Sequence, residues 1–277
     1  MIIEKLETEH FRILNQGNGV YRIIDPLGVG GNLIIGNERA LLIDTGFGMK
    51  DIRVPVREVT DLPLIVINSH VHTDHSGGNY FFDTVYIPKT ERDKMFDGSL
   101  DRERDMLFRS WRKMRPHLAE YMIEGVALTG RLARTRYEPL PKRFDLGGRI
   151  LETVELAGHT RASSIVIDLN TRTAFVGDAI GLTTWLFLYP EGTISGYSRR
   201  LTAFSKRADV DFLQLSHKTE PLPASFTAFS AGFVMRANKG NSEIWKNNRF
   251  TVPVYRYAET DTPYGEVELF YTDTNIG

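Results

Sequence analysis

The sequence predicts an α/β fold, and three observations carry the prediction. Short apolar runs rich in Ile, Leu and Val recur along the whole chain. Turn residues or segments with helical spacing separate them. Five of the seven histidines stand just past such runs, where loops at strand ends gather reactive groups in α/β folds.

Taken in order, Val20–Ile24 reads as a strand and Gly28-Val29-Gly30-Gly31 as a turn. No helix with a Lys-Ser/Thr pair follows that turn, so it is not a nucleotide loop. Residues 32–35 and Ala40–Ile43 are two further strands, joined by a turn at Gly36-Asn37. Residues 50–60 fit a helix if Pro55 falls in its first turn. Residues 64–69 form a buried strand that ends at His70, Gly77-Gly78 opens a short helix, and Thr84–Ile87 is another strand.

Residues 90–136 differ in texture. Leu107, Trp111, Met114, Leu118 and Tyr121 repeat at steps of four and three, an amphipathic helix that Pro116 divides. The segment reads as a helical insertion that packs on the main body, closes over a site as a lid, or does both. Beyond it, residues 149–156 alternate, and Ser164–Asp168 pairs with residues 173–176 across a turn at 170–172. Residues 198–208 are expected as a helix, Phe212–Leu215 as a strand and Ser225–Arg236 as a helix. A hairpin within 250–271 closes the chain. No linker interrupts the pattern, so residues 1–277 read as one domain.

Composition narrows the function classes. Hydrophobic residues at 42% and charged residues at 25% are ordinary globular values. A net charge of −1 gives no general attraction to nucleic acid or to an anionic membrane. No apolar run approaches the roughly 18 residues of a membrane helix. The charged N-terminus has no secretory core, which points to the cytoplasm. Without cysteine, no disulfide, thiol nucleophile or thiolate ligand is available, so any metal must use nitrogen and oxygen donors.

The most informative stretch is His70-Val71-His72-Thr73-Asp74-His75. Three imidazoles and a carboxylate within six residues are a ligand set that zinc prefers, though iron and manganese also accept it. Three more apolar runs end near His159, Asp178 and His217. His10 and His117 lack such a context and read as ordinary packing or surface residues.

In this order, these seven residues resemble the ligand positions of the metallo-β-lactamase superfamily, and Leu41-Leu42-Ile43-Asp44-Thr45-Gly46 resembles its early strand-turn signature. The resemblance covers roughly residues 20–217. It implies a four-layer αββα sandwich with two zinc ions: His70, His72 and His159 on one, Asp74, His75 and His217 on the other, and Asp178 bridging. It also implies that a metal-bridging hydroxide is the nucleophile, that Asp74 orients it as the catalytic carboxylate, and that Asp44 supports a ligand from behind. The bridging Asp178 and the lack of cysteine resemble the glyoxalase II and lactonase branch.

The resemblance leaves the substrate open. The expected reaction is hydrolysis of an ester, thioester, lactone or amide bond of a small molecule, with no nucleic-acid partner. The alternatives are a phosphodiesterase or nuclease, or a mononuclear iron enzyme akin to persulfide dioxygenases. Trp185 and Tyr189 are expected as an apolar wall for the substrate, and Tyr189 or Tyr197 as a hydrogen-bond donor to a developing oxyanion.

Overall fold

A computed structural model describes residues 5–7, 10–122, 127–247 and 250–276. The charged N-terminus is therefore described only in part, and residues 123–126 of the expected insertion lie outside the described residues. The chain divides into two compact units, Met1–Thr153 and Val154–Gly277.

Unit 1 is built on an eight-stranded sheet. Its strands are β1 (Lys5–Glu7), β2 (Arg12–Gly17), β3 (Val20–Ile24), β4 (Gly30–Ile35), β5 (Ala40–Ile43), β6 (Leu64–Ile67), β7 (Thr84–Ile87) and β8 (Arg136–Pro139), in spatial order β1 to β8. The first five form an antiparallel meander, and β5 to β8 run parallel. Parallel strands are buried on both faces, which explains why β5 is a continuous apolar run rather than an alternating one. Helix α1 (Arg53–Val59) connects β5 to β6 and carries Pro55 in its first turn. A single-turn helix, α2 (Thr73–Ser76), overlaps the histidine cluster, and a short 3₁₀ helix (Asn79–Phe81) follows the glycine pair as expected.

The expected helical insertion contains α3 (Ser99–Met114), then a 3₁₀ segment from Pro116 to Tyr121, and α4 (Thr129–Leu132). Pro116 ends α3 because it cannot donate to the helix ladder and pushes the residue before it out of the helical region. The buried face of α3 is Leu100, Arg104, Leu107 and Phe108; Met114, expected in the apolar stripe, is 62% exposed. Leu107 and Phe108 pack with Leu27, Val29 and Phe47, and Trp111 meets Phe47 edge-on at 5.4 Å. Burying each such side chain contributes about 1.5–3 kcal/mol, which ties the helix to the loop after β5. The short strand β9 (Arg143–Asp145) then pairs antiparallel with β10 (Ile150–Glu155), inside which the boundary between the units falls.

In unit 2, β11 (Ser164–Asp168) pairs antiparallel with β12 (Thr173–Gly177). β12 runs parallel to β14 (Phe212–Leu215), which pairs with β15 (Leu222–Pro223). β13 (Thr183–Trp185) belongs to another sheet, ordered β13-β18-β17-β16, with β16 (Glu243–Ile244), β17 (Tyr255–Glu259) and β18 (Val267–Tyr271). The last two strands form an antiparallel hairpin. Helices α5 (Ile194–Phe204) and α6 (Ser225–Arg236) bury Tyr197, Leu201, Phe226 and Phe233 in the core with Ile165, Val176 and Leu213. α5 begins four residues before the expected start because Thr193 caps it: Thr193 Oγ1 accepts from Gly196 N at 3.0 Å.

Candidate metal centre

β5 and β6 run parallel with Ile43 opposite Ile67, so the residues that follow each strand emerge side by side. Asp44, 1% exposed, sits there in the left-handed region at φ 66°. Its Oδ1 accepts from Ser69 N at 2.8 Å. Its Oδ2 accepts from Ser69 Oγ at 2.8 Å and lies 2.9 Å from His75 Nδ1. A carboxylate at Nδ1 favours the tautomer with the proton there, which makes Nε2 the nitrogen able to donate its lone pair to a cation. Aspartate tolerates the left-handed backbone better than most residues, so the strained turn and the support for His75 come from one side chain.

The main chain of His75 is held as firmly. Its carbonyl accepts from Thr45 N at 2.8 Å, Asn68 Nδ2 at 2.8 Å and Thr45 Oγ1 at 3.2 Å. Asn79 Nδ2 donates to Asn68 Oδ1 at 2.7 Å, which orients the amide that holds the carbonyl. Gly77 and Gly78 permit this packing: a Cβ on either would stand 2.4 Å from a backbone oxygen, Phe47 O or Thr45 O.

On this scaffold His70 Nε2 and His72 Nδ1 are 3.1 Å apart, and His75 Nε2 is 3.5 Å from Asp74 Oδ2. The His70 and His75 rings are 4.1 Å apart between centroids. His70 and His75 are fully buried, while His72 and Asp74 are partly exposed. Nitrogens about 2.0–2.1 Å from one zinc ion would be separated by little more than the His70–His72 distance. The donor chemistry and spacing fit a divalent cation.

Two glutamates hold this loop and Asp25 lies within electrostatic reach of Asp74, and no sequence pattern marks any of the three. Glu91, 2% exposed, accepts from Val71 N at 3.1 Å through Oε2. Glu103 on α3 accepts from Thr73 N at 3.1 Å through Oε2. Burial, with the negative charge of Asp74 adding to it, pushes the Glu103 carboxyl up to about 8. Asp25 accepts from Leu27 N at 2.9 Å and Val29 N at 3.0 Å, and burial pushes its carboxyl up to about 6. Acidic residues on a charged amphipathic segment read as a solvated face, which hid Glu91 and Glu103.

Unit 2 brings together its own three expected ligands. β12 and β14 run parallel, with Gly177 opposite Leu215 after a register irregularity, so Asp178 and His217 leave neighbouring strand ends. His159 lies in the loop before β11. Both histidines face one oxygen: Asp178 Oδ2 is 3.3 Å from His217 Nε2 and 3.6 Å from His159 Nε2. A carboxylate flanked by two imidazoles is a further cation-binding pattern.

Helix α5 holds these loops. Tyr197 OH donates to Ala179 O at 2.7 Å, next to Asp178, and its ring fills the space where a Cβ on Gly158 would stand, 2.4 Å away. Arg200 Nε donates to Ala157 O at 2.6 Å. Tyr197, expected as a donor to the substrate, is instead 1% exposed with its hydroxyl committed to Ala179. The core around it required a buried aromatic ring there, and a buried hydroxyl takes a local partner. Trp185 is partly exposed in an aromatic group with Phe187, Trp245 and Phe270. Tyr189 is partly exposed beneath the Arg161 guanidinium, 6.0 Å from its ring centre. His10 packs edge-on against Tyr121 at 6.1 Å, and His117 is exposed.

The profile of the Metallo-beta-lactamase superfamily matches residues 31–217, a span that starts before Asp44 and ends on His217. The chain belongs to this superfamily and is a hydrolase of it. Human acyl-coenzyme A thioesterase MBLAC2 is 25% identical over 244 residues, covering 79% of this chain and 82% of that protein. The Gallus gallus protein of the same name is 26% identical over 233 residues, covering 78% and 80%. Among solved structures, DIM-1 metallo-beta-lactamase matches with a TM-score of 0.55 at 15% identity, over 84% of this chain and 100% of that one. A variant of the sec-alkyl sulfatase PisA1 gives 0.60 at 15% identity, over 80% of this chain and 41% of that one. The α/β metallo-β-lactamase fold expected from the sequence is the fold of this chain. Among the described residues no helix is long and apolar enough to cross a membrane.

Proposed function

We propose that this protein is a dinuclear zinc hydrolase acting on the thioester bond of a small acyl-coenzyme A-type substrate. The observation that carries the reading is that relatives named acyl-coenzyme A thioesterases match nearly four fifths of the chain, which carries the seven His and Asp residues of the expected ligand set. In this reading His70, His72, Asp74, His75, His159, Asp178 and His217 would together hold the two zinc ions. Bound zinc would activate a water and polarise the scissile carbonyl.

The chain's own residues supply the rest. Asp44 holds the His75 ring at Nδ1, so that Nε2 is the nitrogen that would meet a cation, and the hydrogen bonds to the His75 carbonyl fix its main chain. Asp74, the one carboxylate of the 70–75 cluster and partly exposed, would orient the attacking water and accept its proton. Trp185 and Tyr189 contribute apolar surface to the acyl group. A near-neutral chain without a basic-aromatic run offers little to a nucleic-acid backbone, which favours a small substrate over the nuclease alternative.

The test is release of free thiol from acyl-coenzyme A substrates by zinc-loaded protein, in parallel with lactones, β-lactams and phosphodiesters. Thioester turnover well above the other classes, lost on chelation and restored by zinc, is the expected result. Preference for a phosphodiester, or thioester turnover indifferent to chelation, would overturn the reading.

A further inference from the structure

The backbone amides of the ligand loop are held by two glutamates from outside it. Val71 and Thr73 alternate with His70, His72 and Asp74, and each sends its N–H to a carboxylate: Val71 N to Glu91 at 3.1 Å, Thr73 N to Glu103 at 3.1 Å. Both acceptors come from the segment read as an insertion, Glu91 from the 3₁₀ turn Lys89–Met95 and Glu103 from α3. Glu91 is 2% exposed, with Oε1 4.0 Å from Lys94 Nζ. Neither amide has the option of a sheet ladder, because β6 ends at Ile67. Without these acceptors two amides in a buried loop would lose their partners, and the loop would relax until it found others.

We propose that Glu91 and Glu103 are positioning residues that set the backbone of the 70–75 loop, and with it the directions of the His70, His72, Asp74 and His75 side chains. The segment around residues 89–114 is thereby a brace for metal binding. The proposal rests on the reading that residues 70–75 bind a metal. The role is that of a hydrogen-bond acceptor at a fixed place: an amide oxygen in the same position serves, and a carboxylate withdrawn by one methylene does not.

The experiment compares Glu→Ala, Glu→Asp and Glu→Gln at positions 91 and 103. The readouts are Zn²⁺ affinity by chelator competition and the visible absorption spectrum of Co²⁺-loaded protein, which reports ligand geometry without turnover. Glu103→Ala and Glu103→Asp are expected to weaken metal binding by about 10-fold or more and to alter the Co²⁺ spectrum. Glu103→Gln is expected to restore both to near wild type, with the same pattern at Glu91. Ala and Asp variants that match wild type in both readouts would overturn the proposal, as would Gln variants as impaired as Ala. If an Ala variant does not fold, the Asp and Gln pair decides alone. Wild-type protein that binds neither metal contradicts the metal reading itself, an outcome distinct from variants that merely equal a metal-binding wild type.

Discussion

Residues 70–75 place four candidate ligand groups on six consecutive positions, and unit 1 buries His70 and His75 completely. Unit 2 collects His159, Asp178 and His217 from three separate strand ends and leaves the His217 side chain 48% exposed. The first set takes its geometry from the loop itself, with its amides, carbonyl and ring nitrogen each held by a neighbour. The second takes its geometry from the parallel pair β12 and β14 and from one helix, α5, packed beneath two of the three loops. A contiguous motif puts its demands on nearby donors and acceptors. A dispersed one puts them on tertiary packing, so its weak points lie further from the ligands.

The sharpest way to break this comparison is at the carboxylate that both unit 2 histidines face. Asp178→Ala should cut hydrolysis by at least about 100-fold and lower metal content, with the circular dichroism spectrum and melting cooperativity of wild type. Full activity in that variant would remove Asp178 from the site. Next comes Asp44→Ala in unit 1. It strips partners from Ser69 N, Ser69 Oγ and His75 Nδ1 at once, in a fully buried place. The expected cost is about 3 kcal/mol in denaturant unfolding of metal-free protein. A loss below half of that would show that the loop finds other donors and acceptors.

Tyr197→Phe probes the packing on which unit 2 relies. It removes the hydrogen bond to Ala179 O and keeps the ring against Gly158, so stability should fall by about 1 kcal/mol. Metal affinity should fall by a few-fold, and KM should stay unchanged. A large rise in KM with unaltered metal affinity would return Tyr197 to substrate binding. A separate effect, read as a pH dependence, is electrostatic. In metal-free protein the Glu103 carboxyl is pushed up from 4.5 to about 8, so the folded state keeps a proton that the unfolded chain releases. Its contribution to stability is complete below the unfolded value and is lost as pH rises through about 8. Glu103→Gln should flatten that decline, and an unchanged slope by chemical denaturation at several pH values would count against the burial that drives it.

The two ligand sets also explain what was legible in the sequence. The 70–75 cluster was plain because its spacing is local, and β3, β5 and β7 were plain because their apolar runs are bounded by turn residues. His159, Asp178 and His217 could be listed in order but only a family pattern joined them, since parallel pairing of β12 with β14 is a tertiary fact. Glu91 and Glu103 were hidden because their role depends on which amides they face. Tyr197 was visible as a polar aromatic near a ligand, yet its partner, Ala179 O, is a backbone atom that no side-chain pattern reveals. β2 was missed because Arg12, Asn15 and Gln16 interrupt its alternation.

Metal stoichiometry measured alongside turnover tests most directly the proposed two-zinc thioester hydrolase. Metal-free protein titrated with zinc should take up two equivalents per chain, with acyl-coenzyme A hydrolysis rising as they bind. His72→Ala and His217→Ala should each depress uptake and turnover together. One iron per chain, or turnover that survives loss of either histidine with zinc uptake intact, would contradict the account.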